Sequence, residues 1–426
     1  MSETYHETWR TALEDPFREK FVAQGPPDFD VIVNHLPRLQ GSAALDQSQL
    51  KQHRDQLAEQ VQPDLGHPLL DEAVLTGLAS IDVTFEADHP RYGCGEYAYA
   101  IHDGFPGTII ATVDALLGWD LIDRAKTLLR YYLKHFVRTK FGDWNRTKPG
   151  DICYYAPSIS DYGQLLTTAI RLARQVKDDP LWTEEVVFKI DALAERLLDL
   201  CLDRDGNLLA GVPEADTRKA TGYYFHNNAW ACRALIDWSD FVDALHPNVR
   251  ADSGRTRAAA FALRQQTLDA INRTWPADPD DWWLPPLTDR HDKPKHLCQT
   301  QLSSYTNYRY WPELLSSGIL PADLANRLVN ARLAGGGQFM GMSRFEDHLD
   351  DWPMYDYLLG LWQLDRRDDF LFSLYGHVAY HLGEGHLTAY EQVTFPPGGP
   401  CADYCLPCQL VVPRAAALLR HEPNEN

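Results

Sequence analysis

The sequence predicts an all-α protein: an (α/α)6 toroid of about six helical hairpins, with long loops and short strands at one end. Three observations predict it. Apolar residues recur at helical spacing along most of the 426 residues. The helices come in pairs joined by short turns, such as GWD, KDDP and QLDRR. The connections between pairs are longer and hold most of the Trp, Tyr, Gly and Pro. An open solenoid would show a fixed repeat period, and no strict repeat is visible. With no low-complexity linker, residues 1–426 read as one domain, 1–90 contributing the first helices.

The elements follow in order. Two or three helices are expected before residue 90. Residues 106–117 form an apolar helix that stops at Gly118. Asp120 reads as the N-cap of a helix over 121–137, with Leu121, Ala125, Leu128, Leu129, Tyr132 and Phe136 on one face. Further helices are expected over 160–176, 181–203, 227–245, 256–275, 298–316, 322–333, 353–364, 367–382 and 405–420. Between pairs run 141–160, 204–226 and 275–296, some of them as hairpins of short strands. Long loops are rare in ordinary domains unless they carry function.

Composition narrows the function. Lys and Arg total 40 against 60 Asp and Glu, a formal charge of −20. Such a surface repels phosphate backbones and anionic lipid, so neither nucleic acid nor membrane is an expected partner. The first residues are charged and lack the apolar core of a signal peptide. No apolar run approaches the length of a membrane span. The cysteines, at 94, 153, 201, 232, 298, 401, 405 and 408, form no short disulfide framework. The expected setting is cytoplasmic, with reduced thiols. Cys401, Cys405 and Cys408 have the C-x3-C-x2-C spacing of an iron–sulfur loop. A turn packing small apolar residues under the last helix explains them better.

Four loop stretches carry candidate chemistry. The first, 92–107, offers Glu96, His102 and Asp103; the second, 142–166, offers Trp144, Arg146, Asp151, Tyr154, Tyr155 and Asp161. The third, 335–358, offers Arg344, Glu346, Asp347, His348, Asp350, Asp351 and Trp352, and the fourth, 381–400, offers Glu391 between Tyr390 and Gln392. Bland readings stand beside these. Asp161 sits where a first-turn carboxylate caps a helix, although Ser158 or Ser160 could do that and leave it spare. Asp350 and Asp351 precede Trp352-Pro353, a helix start with Pro at its first position. Asp103-Gly104 reads equally as a turn, and Arg344 with Glu346 or Asp347 as a surface ion pair. Glu391 resists such a reading, because the alternation in LTAYEQVTF places it in an extended segment, opposite Tyr390 and Gln392.

Other chemistries lack their motifs. There is no HExxH, and His377, His381 and His386 read as spaced for different faces, so no metal and no cofactor is expected. G-x-S-x-G and G-x-G-x-x-G are also missing. Carboxylates and aromatics on a helical toroid remain, the equipment of glycoside chemistry.

The stretches HDGFPGTIIATVDALLGWDLIDRAKTLLRYYL, SISDYGQLLTTAIRLAR, YYFHNNAWACRALIDWSDF, DDWPMYDYLLGLWQL and TAYEQVTF resemble the six-hairpin (α/α)6-barrel glycosidases. That group includes glucoamylase, trehalase, processing α-glucosidase and mannosylglycerate hydrolase. The resemblance covers roughly residues 90–420. It implies a glycoside hydrolase that inverts configuration, with Asp161 as general acid and Glu391 as general base. The group's Arg–Asp pair on an early loop is represented by His102-Asp103. Trp144, Tyr154, Tyr155, Tyr224, Trp282, Trp283 and Trp352 are expected to line the cleft with Asp103, and Arg344 to meet any charge on the substrate. Tyr390 and Gln392 are expected to donate to Glu391. The expected partner is a small or oligomeric glycoside. Epimerases of the N-acylglucosamine 2-epimerase type and polysaccharide lyases share the barrel, and would call on His226, His348, His381 and His386 instead.

Overall fold

Long connections all enter the same kind of helix, and this fixes the architecture. In the computed structural model, residues 45–420 are described except 87–88, 95–101, 140–147, 155–156, 205–206, 215–219, 246–251, 277, 279–280, 289–291, 395–398 and 403. The elements are α1 (Gln47–Ala58), α2 (Pro68–Val83), β1 (Phe85–Glu86), β2 (His89–Pro90), α3 (Pro106–Gly118), α4 (Ile122–Phe136), α5 (Ile159–Gln175), α6 (Pro180–Leu202), α7 (Phe225–Leu245) and α8 (Ser253–Thr274). There follow α9 (Gln301–Tyr305), a π-turn (Thr306–Tyr310), α10 (Trp311–Ser316), α11 (Ala322–Ala334), β3 (Gln338–Phe339), β4 (Met342–Phe345), β5 (His348–Asp350), α12 (Met354–Gln363) and α13 (Arg367–Tyr380). The chain ends on β6 (Gln392–Thr394), β7 (Pro400–Ala402), α14 (Leu406–Gln409) and α15 (Val411–Arg420).

Six helices form a closed inner ring: α3 packs on α5, α5 on α7, α7 on α10, α10 on α12, α12 on α15, and α15 back on α3. Each is backed by an outer helix, α4, α6, α8, α11, α13 and α2 respectively. The outer partner of the last inner helix is thus α2, the second of the described helices, which closes the toroid. Burial matches this division. Inner α3 buries nearly every residue, whereas outer α4 buries one face, Ala125, Leu128, Leu129, Tyr132 and Leu133. Every short turn runs from an inner helix to its outer partner. Every long connection runs from an outer helix to the next inner N-terminus, so the long loops gather at one mouth.

The short turns differ from expectation in one detail. Asp120 does not cap α4; it sits at φ +60° and ends α3 instead. The Leu121 N–H donates back to the Leu116 carbonyl at 2.9 Å, a Schellman-type close. Asp365 repeats the motif at φ +58°, with the Arg366 N–H on the Leu361 carbonyl at 3.0 Å. Asp tolerates this left-handed conformation better than a branched residue does.

The stretch 298–316 is not one regular helix. Pro312 has no N–H to give the Tyr308 carbonyl and would collide with it. The backbone widens there, and the Trp311 N–H bonds the Thr306 carbonyl. The resulting π-turn carries Asn307, Tyr308, Arg309 and Tyr310.

The loops of the C-terminal half form a five-stranded antiparallel sheet in the order β3-β4-β5-β6-β7. Its strands are two to four residues long. In its register Asp350 faces Gln392 and Leu349 faces Val393, which sets the Glu391 segment beside the start of α12. Helix α13 touches this sheet closely: a Cβ on Gly376 would lie 1.9 Å from the Met340 carbonyl oxygen. Gly376→Ala should therefore destabilise the protein by about 1–3 kcal/mol, read as a lower denaturant midpoint at unchanged slope.

Candidate active site

The π-turn delivers one cation to three acids at the barrel mouth. Arg309 is buried, and its Nη2 lies 3.6 Å from Asp161 Oδ1 and its Nη1 3.4 Å from Glu214 Oε2. Its Nε bonds Glu313, one helical turn on. All three carboxyl groups are buried. The guanidinium also stands 4.8 Å over the Trp352 ring. The elements involved are the first turn of α5, the loop before α7, the π-turn, α10 and the loop before α12. Burial alone would lower the Arg309 pKa, but Glu313, Asp161 and Glu214 together raise it well above its ordinary value. Asp161 moves upward as well. Its burial outweighs Arg309 and the hydrogen bonds of Ser158. One buried cation cannot balance three buried anions, so the cluster favours holding a proton.

Asp161 is not spare. Ser158 caps α5, and Asp161 completes the capping box: its Oδ2 accepts the Ser158 N–H at 2.7 Å and hydroxyl at 2.6 Å. Its other oxygen faces Arg309. Glu214 was missed in the sequence, as was Arg309. Glu214 follows a proline in a loop without periodicity, and Arg309 lies inside a stretch that reads as plain helix.

Glu391 is buried just before β6. The Asp351 N–H donates to its backbone carbonyl at 3.2 Å. Tyr308 lies within the electrostatic reach of Asp350 and Glu391. The two halves of the site therefore meet through adjacent residues: Tyr308 toward Glu391 and Arg309 toward the acids, Asp351 on Glu391 and Trp352 over Arg309. The expected donors to Glu391 are used elsewhere. The Tyr390 hydroxyl lies 3.4 Å from His386 Nε2, and the Gln392 amide donates to Asp350 Oδ2 at 2.9 Å.

An aromatic wall adjoins Trp352. Phe105 packs on it at 5.7 Å between ring centroids, and Tyr154 on Phe105 at 5.4 Å. The Tyr154 hydroxyl meets His102 Nδ1 at 3.0 Å, and Tyr92 tilts against the His102 ring. Asp103 does not pair with His102. It receives His89 Nε2 at 2.6 Å and Arg91 Nη1 at 2.8 Å. Burial would raise the Asp103 carboxyl, but these bonds hold it below its ordinary value.

Other expected cleft residues fall elsewhere. Trp283 is buried in the main core against Trp311. Tyr224 is buried in a small cluster with Leu287 and Tyr310, its hydroxyl on the Ala220 carbonyl. Burial in the core explains both. Trp282 is half-buried, with Lys293 Nζ 5.4 Å from its ring. Arg344 directs Nη1 to the Gly336 carbonyl at 3.1 Å. Trp144, Tyr155, Glu96 and Arg146 lie outside the described residues. Cys401 is exposed while Cys405 and Cys408 are buried, their sulfurs 2.7 Å apart, so the three thiols do not converge on one cluster. His377 and His381 do share a face. They are four apart at the end of α13 and stack at 5.3 Å, against the expectation of different faces.

His226 backs the acidic cluster. It is buried, stacks on Tyr310 at 4.7 Å and meets the Pro213 carbonyl with Nε2 at 2.8 Å. Burial pushes its pKa down to about 3. A neutral native histidine means that the unfolded state alone takes up this proton once pH drops below about 6.5. Stability should fall from there toward the folded value, by up to about 1.4 kcal/mol per pH unit from this group. In His226→Gln the slope of unfolding free energy against pH between 6 and 4 should be shallower by about that amount. Denaturant titrations across a pH series read this slope whatever the variant's absolute stability.

Comparison with protein-family models and with curated sequences finds no match. Comparison with solved structures finds the fold. A glycosidase in complex with glucose aligns at TM-score 0.57 and 13% identity, over 83% of this chain and 96% of that one. A bacterial glucoamylase complexed with acarbose aligns at TM-score 0.55 and 10% identity, over 85% of this chain and 57% of that one. A D-mannose isomerase aligns at TM-score 0.53 and 10% identity, over 84% and 98%. The protein is thus a six-hairpin barrel, of the fold shared by these glycosidases and this isomerase. Among the described residues no helix is long and apolar enough to cross a membrane.

Proposed function

We propose that the protein is a glycoside hydrolase acting on a small or oligomeric glycoside, with inversion, through two opposed carboxyl groups. One observation carries the reading: Asp161 and Glu214 are buried together on Arg309, and the residues on either side of that contact, Tyr308 and Trp352, adjoin the segment of another buried carboxyl, Glu391. Hydrolysis by inversion needs one carboxylic acid to protonate the leaving oxygen and one carboxylate to activate water. Glu391 is the base. The proton comes from the Asp161–Glu214 pair, which shares a cation too few to keep every acid ionised. The half-buried rings of Trp352 and Tyr154, backed by Phe105, offer the flat surface on which sugar C–H faces stack. Glucose and acarbose in the neighbours agree with a sugar-sized occupant.

Variant kinetics separate the two acids. The proton donor, once changed to its amide, should keep activity on aryl glycosides with good leaving groups, which need no proton, and lose it on disaccharides. Asp161→Asn and Glu214→Gln are compared on both substrate types. If neither shows that split, the acid assignment fails. The D-mannose isomerase neighbour supplies the competing outcome: no glycoside cleavage, with solvent deuterium entering a free sugar.

A further inference from the structure

Behind Glu391 lies a second group of polar side chains that the hydrolytic reading does not use. Asp351, His377 and His381 are sealed from solvent, none more than 1% exposed. One ligand atom from each lies within 4.8 Å of the others. His377 Nδ1 stands 2.9 Å and His381 Nδ1 3.6 Å from Asp351 Oδ2. The 2.9 Å approach is close, yet its direction does not make a hydrogen bond. Beyond the neighbouring Cys408 thiol the Asp351 carboxyl oxygens have no hydrogen-bond partner, and both His377 nitrogens and His381 Nε2 have none. So many unsatisfied polar atoms in one buried place require an occupant. His381 Nδ1 meets the Tyr390 carbonyl at 2.8 Å, which fixes the proton there and leaves Nε2 its lone pair.

Two thiols adjoin the group. The Cys408 thiol lies against the Asp351 carboxyl, and Cys405 is 2.7 Å from Cys408. In sequence these residues read H-x3-H, then C-x2-C. Two imidazoles four residues apart with a carboxylate are the donor set of a zinc site; the thiols lie beside it. A buried water could also bridge such atoms, but water does not call for paired imidazoles beside paired thiols.

We propose that Asp351, His377 and His381 bind a divalent transition-metal cation, Zn2+ by the chemistry of the set. The cation joins the end of α13 to the entry to α12. It also stiffens the segment that carries Glu391, because the Tyr390 N–H donates to the His381 carbonyl, the His381 ring meets the Tyr390 carbonyl, and the Asp351 N–H donates to the Glu391 carbonyl. Its role is to position that segment; no step of the reaction passes through it. The inference stands whether or not the hydrolase reading does.

Elemental analysis of the full chain, purified after growth with added zinc, tests it. The expected result is about one zinc per chain, with absorption-edge spectroscopy showing nitrogen and oxygen ligands at about 2.0–2.1 Å. His377→Ala and Asp351→Ala should lose the metal, whereas Cys401→Ser, altering the exposed cysteine, should keep it. Stripping the wild type with a strong chelator should lower its apparent Tm by roughly 5 °C, restored by Zn2+. Should the alanine variants not fold, Co2+-loaded wild type still decides: visible d–d bands of a bound, low-coordinate Co2+ are expected, and added Zn2+ should displace them. The proposal is overturned if wild-type protein holds no stoichiometric metal and takes up neither Zn2+ nor Co2+. Zinc content unchanged in a folded His377→Ala variant also overturns it.

Discussion

Glu391→Gln should lower kcat by roughly 10²–10⁴ while leaving the fold intact. The side chain is buried, and the amide has nearly the same shape, so packing is kept. What is lost is the negative charge that takes a proton from water as it attacks. The loss should persist on aryl glycosides with good leaving groups, because the departing group does not replace the base. KM should change far less than kcat, since the change falls on the chemical step. Steady-state kinetics with circular dichroism of the variant check this. Wild-type turnover in a folded Glu391→Gln protein would remove Glu391 from the mechanism.

Arg309→Met should be the most destabilising single change at the site, by about 3–5 kcal/mol at neutral pH. It removes the cation from between Asp161, Glu214 and Glu313, all buried. Uncompensated buried carboxylates take up protons instead, so their folded pKa values rise above those of the unfolded chain. Such groups stabilise the native state fully below the unfolded value, near pH 4, and lose that contribution as pH rises through the folded values. The deficit against wild type should therefore shrink toward pH 4–5 and widen toward pH 8. Urea titrations at several pH values read it. Arg309→Lys should lose less stability, because the charge remains while the forked geometry does not. An equal loss at every pH would mean that the guanidinium matters for packing and not for charge.

The barrel was legible because it follows from period. Alternating inner and outer helices leave different stripes, as α3 and α4 show, and their boundaries fell within a few residues of expectation. The burial of Glu391 was legible too: no turn, cap or solvent face explained a carboxylate in that extended run. The rest of the site was hidden for physical reasons. Glu214 and Arg309 become significant only when the ring closes and brings the loop before α7 against the π-turn. That turn arises from a single clash at Pro312, which no periodicity records. Trp283 and Tyr224 looked like cleft residues because each lies in a long loop, but both loops fold inward there and bury them. His377 and His381 were read as facing apart, although residues four apart on a helix lie on one face.

The stereochemical course of a single turnover tests the account most directly. Wild-type protein is incubated with a panel of gluco- and manno-configured aryl glycosides and disaccharides. Proton NMR then follows the first-formed anomer before it equilibrates. The account predicts cleavage with the opposite anomeric configuration in the first product, and loss of that signal in Glu391→Gln. Retention of configuration would contradict it, as would intact glycosides accompanied by deuterium exchange at a sugar carbon.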